Sequence, residues 1–113
     1  MTKYYCIKKA FAYLESKYGF HRYMKQEHGA YYYIAWTNGK KDIMVLYDDR
    51  IYEKIESPVW IRIFDADSFG TQYDDVDEYR SEFYILSGSP KERIYRAAKW
   101  LREAIENQIV LLE

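Results

Sequence analysis

The sequence predicts a small α+β domain: an N-terminal amphipathic helix, an antiparallel sheet of about four strands around a central Asn-Gly hairpin, and a C-terminal amphipathic helix packed on that sheet. Three observations carry this. Residues 89–92 read Ser-Pro-Lys-Glu ahead of a run with helical apolar spacing, the signature of a capped helix start. Asn38-Gly39 sits between two apolar, β-branched and aromatic runs, the strongest short hairpin signal. The first eighteen residues place Ile7, Phe11, Leu14 and Tyr18 at steps of three and four, which draws one apolar stripe down a helix.

Taken in order, a first helix is expected over residues 3–18, capped by Thr2 and stopped at Gly19, a residue suited to the left-handed position after a helix end. Strands are expected at 20–27 and 30–37, with His28-Gly29 as the turn between them. The strand 41–48 then returns from Asn38-Gly39. A two-residue turn there would set Ile34 opposite Ile43 and Tyr32 opposite Val45. It would also put Tyr32, Ile34, Trp36, Ile43, Val45 and Tyr47 on one face and Tyr31, Tyr33, Ala35, Asp42, Met44 and Leu46 on the other. Both faces are largely apolar, whereas a sheet wetted on one side alternates more cleanly. The second face is therefore covered within the chain or meets a partner, and a homodimer through Tyr31, Tyr33 and Leu46 is one such arrangement.

Asp48-Asp49-Arg50 reads as a turn, residues 51–57 carry no assignable pattern, and Pro58 opens a strand at 59–64, where a proline is tolerated as first residue. Residues 65–82 form an acidic connection with seven acids against Arg80, a formal charge of −6, and a short helix or strand is expected near 79–86. In the last helix Ile94, Ala98, Leu101, Ile105 and Ile109 continue an apolar stripe towards Leu112, with Trp100 at its shoulder.

The 113 residues fit one domain, 1–113. The net charge is −1 with 31% charged residues, a balance that disfavours indiscriminate nucleic-acid binding. Cys6 is the only cysteine, so no intramolecular disulfide forms, which suits a reducing compartment. The longest uncharged stretch, residues 28–39, spans 12 residues against the ~20 a membrane helix needs. With no apolar leader pattern at the N-terminus, a cytoplasmic location is expected.

No metal, cofactor or catalytic motif is found. Asp65, Asp67 and Gly70 match the start of a calcium-binding loop, but Phe69 stands where an oxygen ligand belongs and Val76 where the closing Glu belongs. Cys6 has cationic neighbours in Lys3, Lys8 and Lys9, which would favour a thiolate. Nothing pairs it with His21 or His28, and a buried structural cysteine is the simpler reading. The glycines are isolated and build no phosphate loop. An enzyme is not expected; a pocket gathering His21 or His28 with acids would reopen that.

Two surfaces remain. Residues 1–28 carry Lys3, Lys8, Lys9, Lys17, Arg22 and Lys25 against Glu15 and Glu27, interleaved with Tyr4, Tyr5, Tyr18, Phe20 and Tyr23, a strip able to hold single-stranded nucleic acid if the acidic segment lies elsewhere. The acidic segment itself combines carboxylates that steer a basic partner with tyrosines that supply contact area at low entropic cost. Asp74, Asp75, Asp77, Glu78 and Tyr79 are the expected contact residues for a basic protein partner.

The order of features also carries a resemblance. A helix ending Tyr18-Gly19-Phe20, a tyrosine-rich strand, the stretch VLYDDR at 45–50, an acidic segment and a capped last helix together resemble the small bacterial α+β immunity proteins encoded beside polymorphic or contact-dependent toxins, and related uncharacterised families. What the resemblance implies is a stoichiometric inhibitor that binds a cognate toxin and blocks its active site. No functional residue is carried over from it.

Overall fold

The computed structural model describes residues 2–50, 56–66 and 76–113. Thr2 caps α1 (Lys3–Ala10), its hydroxyl accepting from the Tyr5 amide. The expected single helix then breaks at Phe11-Ala12 and resumes as α2 (Tyr13–Ser16). At the break the Ala12, Leu14 and Glu15 amides donate to carbonyls three residues back, a tightening to 3-10 geometry. Phe11 and Leu14 nonetheless remain fully buried, and the Tyr13 hydroxyl donates to the Ala98 carbonyl at 2.7 Å. Tertiary packing has overridden a continuous stripe.

Five strands follow: β1 (His21–His28), β2 (Tyr31–Thr37), β3 (Lys41–Asp48), β4 (Val59–Asp65) and β5 (Asp77–Tyr79). They form one antiparallel meander in the order β1-β2-β3-β4-β5, one strand more than expected. A 3-10 turn at Ser81–Phe83 and α3 (Pro90–Glu106) complete the order. The start of α3 is as the sequence reads: the Ser89 side chain accepts from the Glu92 amide, and the Glu92 side chain accepts from the Ser89 amide.

The β2–β3 connection corrects the expected register. Asn38-Gly39 is not the two-residue tip. The Asn38 amide donates to the Lys41 carbonyl, and the Asn38 side chain accepts from the Lys40 and Lys41 amides at 2.8 and 2.7 Å. The Asn38 side chain thus closes the turn, with Gly39 in a left-handed conformation (φ +89°). The tip moves one residue along the chain and the pairing shifts by two: Ile34 faces Val45, Trp36 faces Ile43 and Tyr32 faces Tyr47. A two-residue shift preserves facing, so the expected partition of side chains between the faces survives.

Helices α1 and α3 pack against each other and on one face of the sheet. Beneath them Ile7, Phe11, Leu14, Ile94 and Leu101 meet Ile34, Trp36, Ile43, Val45, Val59 and Ile61, all buried completely. Each such side chain contributes roughly 1.5–3 kcal/mol relative to exposure. Cys6 belongs to this core. The other face holds a second cluster, Ala35, Met44, Leu46, Trp60 and Phe64, flanked by Met24, Tyr31, Tyr33 and Val76. Leu46 and Met44 are 6% and 7% exposed, so little of this cluster's apolar surface reaches solvent.

The last helix stops earlier than its apolar spacing suggests. The Ile109 amide donates to the Ala104 carbonyl and the Gln108 amide to the Ile105 carbonyl, with Gln108 at φ +59°. This is the paired-bond arrangement that ends helices through a left-handed residue. Ile109 consequently leaves the stripe and is 62% exposed, while Val110 is buried in its place.

Candidate functional site

The linear sheet order puts β1, from the basic segment, at one edge and β5, with Asp77 and Glu78, at the other. Each edge carries its own recess.

At the β5 edge, Glu56, Ser57, Glu78, Arg80, Ser81, Glu82 and Tyr84 line a cleft of about 270 Å³. The Arg80 Nε donates to the Ser57 carbonyl at 2.7 Å, tying the 3-10 turn to the start of β4. Its guanidinium lies 4.5 Å from the centre of the Trp60 ring, a favourable cation–π placement. Arg62 Nε sits 2.7 Å from a Glu78 carboxylate oxygen across β4–β5, and Arg80 pairs with Glu56 at 3.5 Å. Three carboxylates, Glu56, Glu78 and Glu82, thus line the cleft with Arg80, Asp77 lies beside it on β5, and all four acids are exposed.

Of the expected contact residues, Asp77 and Glu78 are exposed on β5, while Asp74 and Asp75 lie outside the described residues. Tyr79 is turned the other way. Its ring packs at 4.8 Å on Trp100, beneath α3, and its hydroxyl pKa is raised by burial, with Asp77 and Glu82 adding to the effect. The aromatic side chain lining the cleft is Tyr84, which the sequence reading did not single out as a contact. The resemblance to a calcium loop falls mostly outside the described residues; Asp65 ion-pairs with Lys41 across β3–β4. Among the described residues no group of three or more His, Cys, Asp and Glu side chains is placed to hold a metal ion.

At the β1 edge two recesses adjoin. One, of about 540 Å³, is lined by Tyr4, Glu15, His21, Arg22, Tyr23, Met24 and Lys25; the other, of about 400 Å³, by Lys8, Lys9, Ala12, Glu15, Ser16 and Arg22. Glu15 and Arg22 form the ridge they share. Glu15 is a node: one carboxylate oxygen accepts from the indole Nε1 of fully buried Trp36 at 3.1 Å and lies 2.9 Å from Arg22 Nε. Glu15 and His21 both line the larger recess, a histidine with one acid of the kind that would reopen an enzyme reading, and that acid is engaged by Trp36 and Arg22. β1 bulges between Arg22 and Met24, so Tyr23 is the extra residue. Its hydroxyl donates to Asp42 at 3.0 Å and is held well above the usual tyrosine range, by burial first and then by the Asp42 charge. Asp42 is buried, and its second oxygen has no hydrogen-bond partner among the described residues.

No protein-family model matches the chain, and no curated protein or solved structure matches it either. Among the described residues no helix is long and apolar enough to cross a membrane.

Proposed function

We propose that the chain is a cytoplasmic protein-interaction module that works without catalysis, taking a basic partner against its β5 edge as an immunity or inhibitor protein takes its toxin. The observation that carries this reading is the exposed carboxylate set Glu56, Glu78 and Glu82 around one cleft, with Asp77 exposed beside it on β5, and with Arg62 and Arg80 holding two of the acids in fixed positions. Fixed acids offer a basic surface pre-arranged acceptors and speed its approach. Tyr84 supplies the less polar contact area beside them, and Trp60 holds the Arg80 guanidinium from beneath. Tyr79 supports the edge through its packing on Trp100.

The test is affinity capture from host lysate at low ionic strength, followed by association kinetics on whatever basic protein is retained near one-to-one. Replacing Asp77 and Glu82 by Asn and Gln should slow association severalfold and flatten its salt dependence, leaving dissociation nearly unchanged. An association rate indifferent to both substitutions would remove this edge from the interface.

A further inference from the structure

We propose that the groove along α1, α2 and β1 binds single-stranded nucleic acid. This is independent of the partner reading, because it uses the opposite edge of the sheet.

Four cations line the two adjoining recesses: Lys8 and Lys9 from α1, Arg22 and Lys25 from β1. Among the described residues Lys8, Lys9 and Lys25 make no ion pair with a carboxylate, whereas Lys3 and Lys17, off the groove, pair with Asp49 and Glu106. The single acid on the groove wall, Glu15, is occupied by Trp36 and by the Nε of Arg22. That bond orients the Arg22 guanidinium and leaves its two terminal nitrogens for a phosphate. The acids of the β5 edge lie across the sheet, so they do not repel a phosphate chain laid here.

The rings favour a single strand over a duplex. Tyr5 and Tyr23 are 40% and 43% exposed. Tyr23 sits on the bulge with its hydroxyl anchored to Asp42, whose cross-strand partner Phe64 belongs to the cluster on the face away from α1, so its ring closes the sheet edge and the groove relies on Tyr4 and Tyr5. Tyr4 and Tyr5 lie beneath the ammonium groups of Lys25 and Lys9, at 4.3 and 5.4 Å from the ring centres. Alternating cations and rings along a strand edge match what unpaired nucleotides need: phosphates for the cations and base faces for the rings.

The probe is a fluorescein-labelled oligothymidylate, titrated with the full chain by fluorescence anisotropy over a series of salt concentrations. Four phosphate contacts predict a slope of log affinity on log salt of about −3. The Lys8→Gln/Lys9→Gln/Lys25→Gln variant should cut that slope to about −1. Tyr5→Ala, at an exposed ring whose removal leaves the sheet untouched, should weaken binding roughly fivefold or more at unchanged slope, and Tyr23→Leu, on the other face, should not. Asp77→Asn/Glu82→Gln should leave oligonucleotide affinity intact, which separates this site from the partner edge. Circular dichroism confirms that each variant is folded. Three results would each overturn the assignment: no binding at low salt with tens of micromolar protein, a wild-type slope in the triple lysine variant, or equal affinity for heparin and duplex with indifference to Tyr5→Ala.

Discussion

Replacing Glu15 by alanine tests the node that joins the core to the β1 edge. The Trp36 indole is fully buried, and its N–H donates to Glu15 at 3.1 Å. Without that acceptor the N–H keeps its desolvation cost, about 1–3 kcal/mol. The ion pair with Arg22 adds little, because both side chains are about a third exposed (36% and 34%) and water screens them; about 0.5 kcal/mol is a fair allowance. Together these put Glu15→Ala near 2 kcal/mol of destabilisation, about 8 °C in Tm for a chain of this length. Glu15→Gln keeps an acceptor oxygen and removes only the charge, so it should cost under about 1 kcal/mol. The assay is urea unfolding of both variants followed by tryptophan emission, which also reports the polarity around Trp36. An alanine variant within about 0.5 kcal/mol of wild type, or a glutamine variant as unstable as the alanine one, would refute the view that the indole depends on this acceptor.

Three further outcomes are expected. Gln108→Gly should stabilise the chain by about 0.5–1 kcal/mol in thermal unfolding, since a side chain at φ +59° is strained where glycine is not. Ser89→Ala should cost about 1 kcal/mol by the same measurement, through loss of the reciprocal cap at the start of α3. Burial, with Tyr18 adding to it, holds the Tyr13 hydroxyl well above the usual tyrosine range. Below pH 10 it is protonated in both folded and unfolded chains and contributes no pH dependence. Above pH 10 the unfolded chain loses that proton and the folded one keeps it, so stability should fall by up to about 1.4 kcal/mol per pH unit from this group. Alkaline unfolding curves of wild type and Tyr13→Phe would show it, and curves of equal steepness would disprove it.

The structure leaves both functional readings on separate ground. The sheet could have folded the basic and acidic segments side by side, and their charges would then have cancelled as one surface. A meander keeps neighbours in sequence as neighbours in space. With the N-terminal strand and the acidic strand at its two ends, each charged segment acquires an edge and a recess of its own.

Local chemistry made much of this legible in the sequence. The α3 cap was readable because Ser89, Pro90 and Glu92 satisfy the first amides of a helix wherever that helix packs. The partition of β2, β3 and β4 between two faces was readable because side chains alternate with a period of two, and that partition outlasted the register error at Asn38. The Lys-rich groove was readable as a basic aromatic strip. What the sequence could not settle depends on partners remote along the chain. The break at Phe11-Ala12, with Tyr13 reaching Ala98, needs α3 in place. The ring of Tyr79 packs on Trp100, twenty-one positions further on, a contact that the acidic neighbours of Tyr79 do not announce. The role of Glu15 was hidden for the same reason: a carboxylate on a wet helix face looks like solvent-exposed charge until the sheet brings a buried indole N–H that has nowhere else to donate.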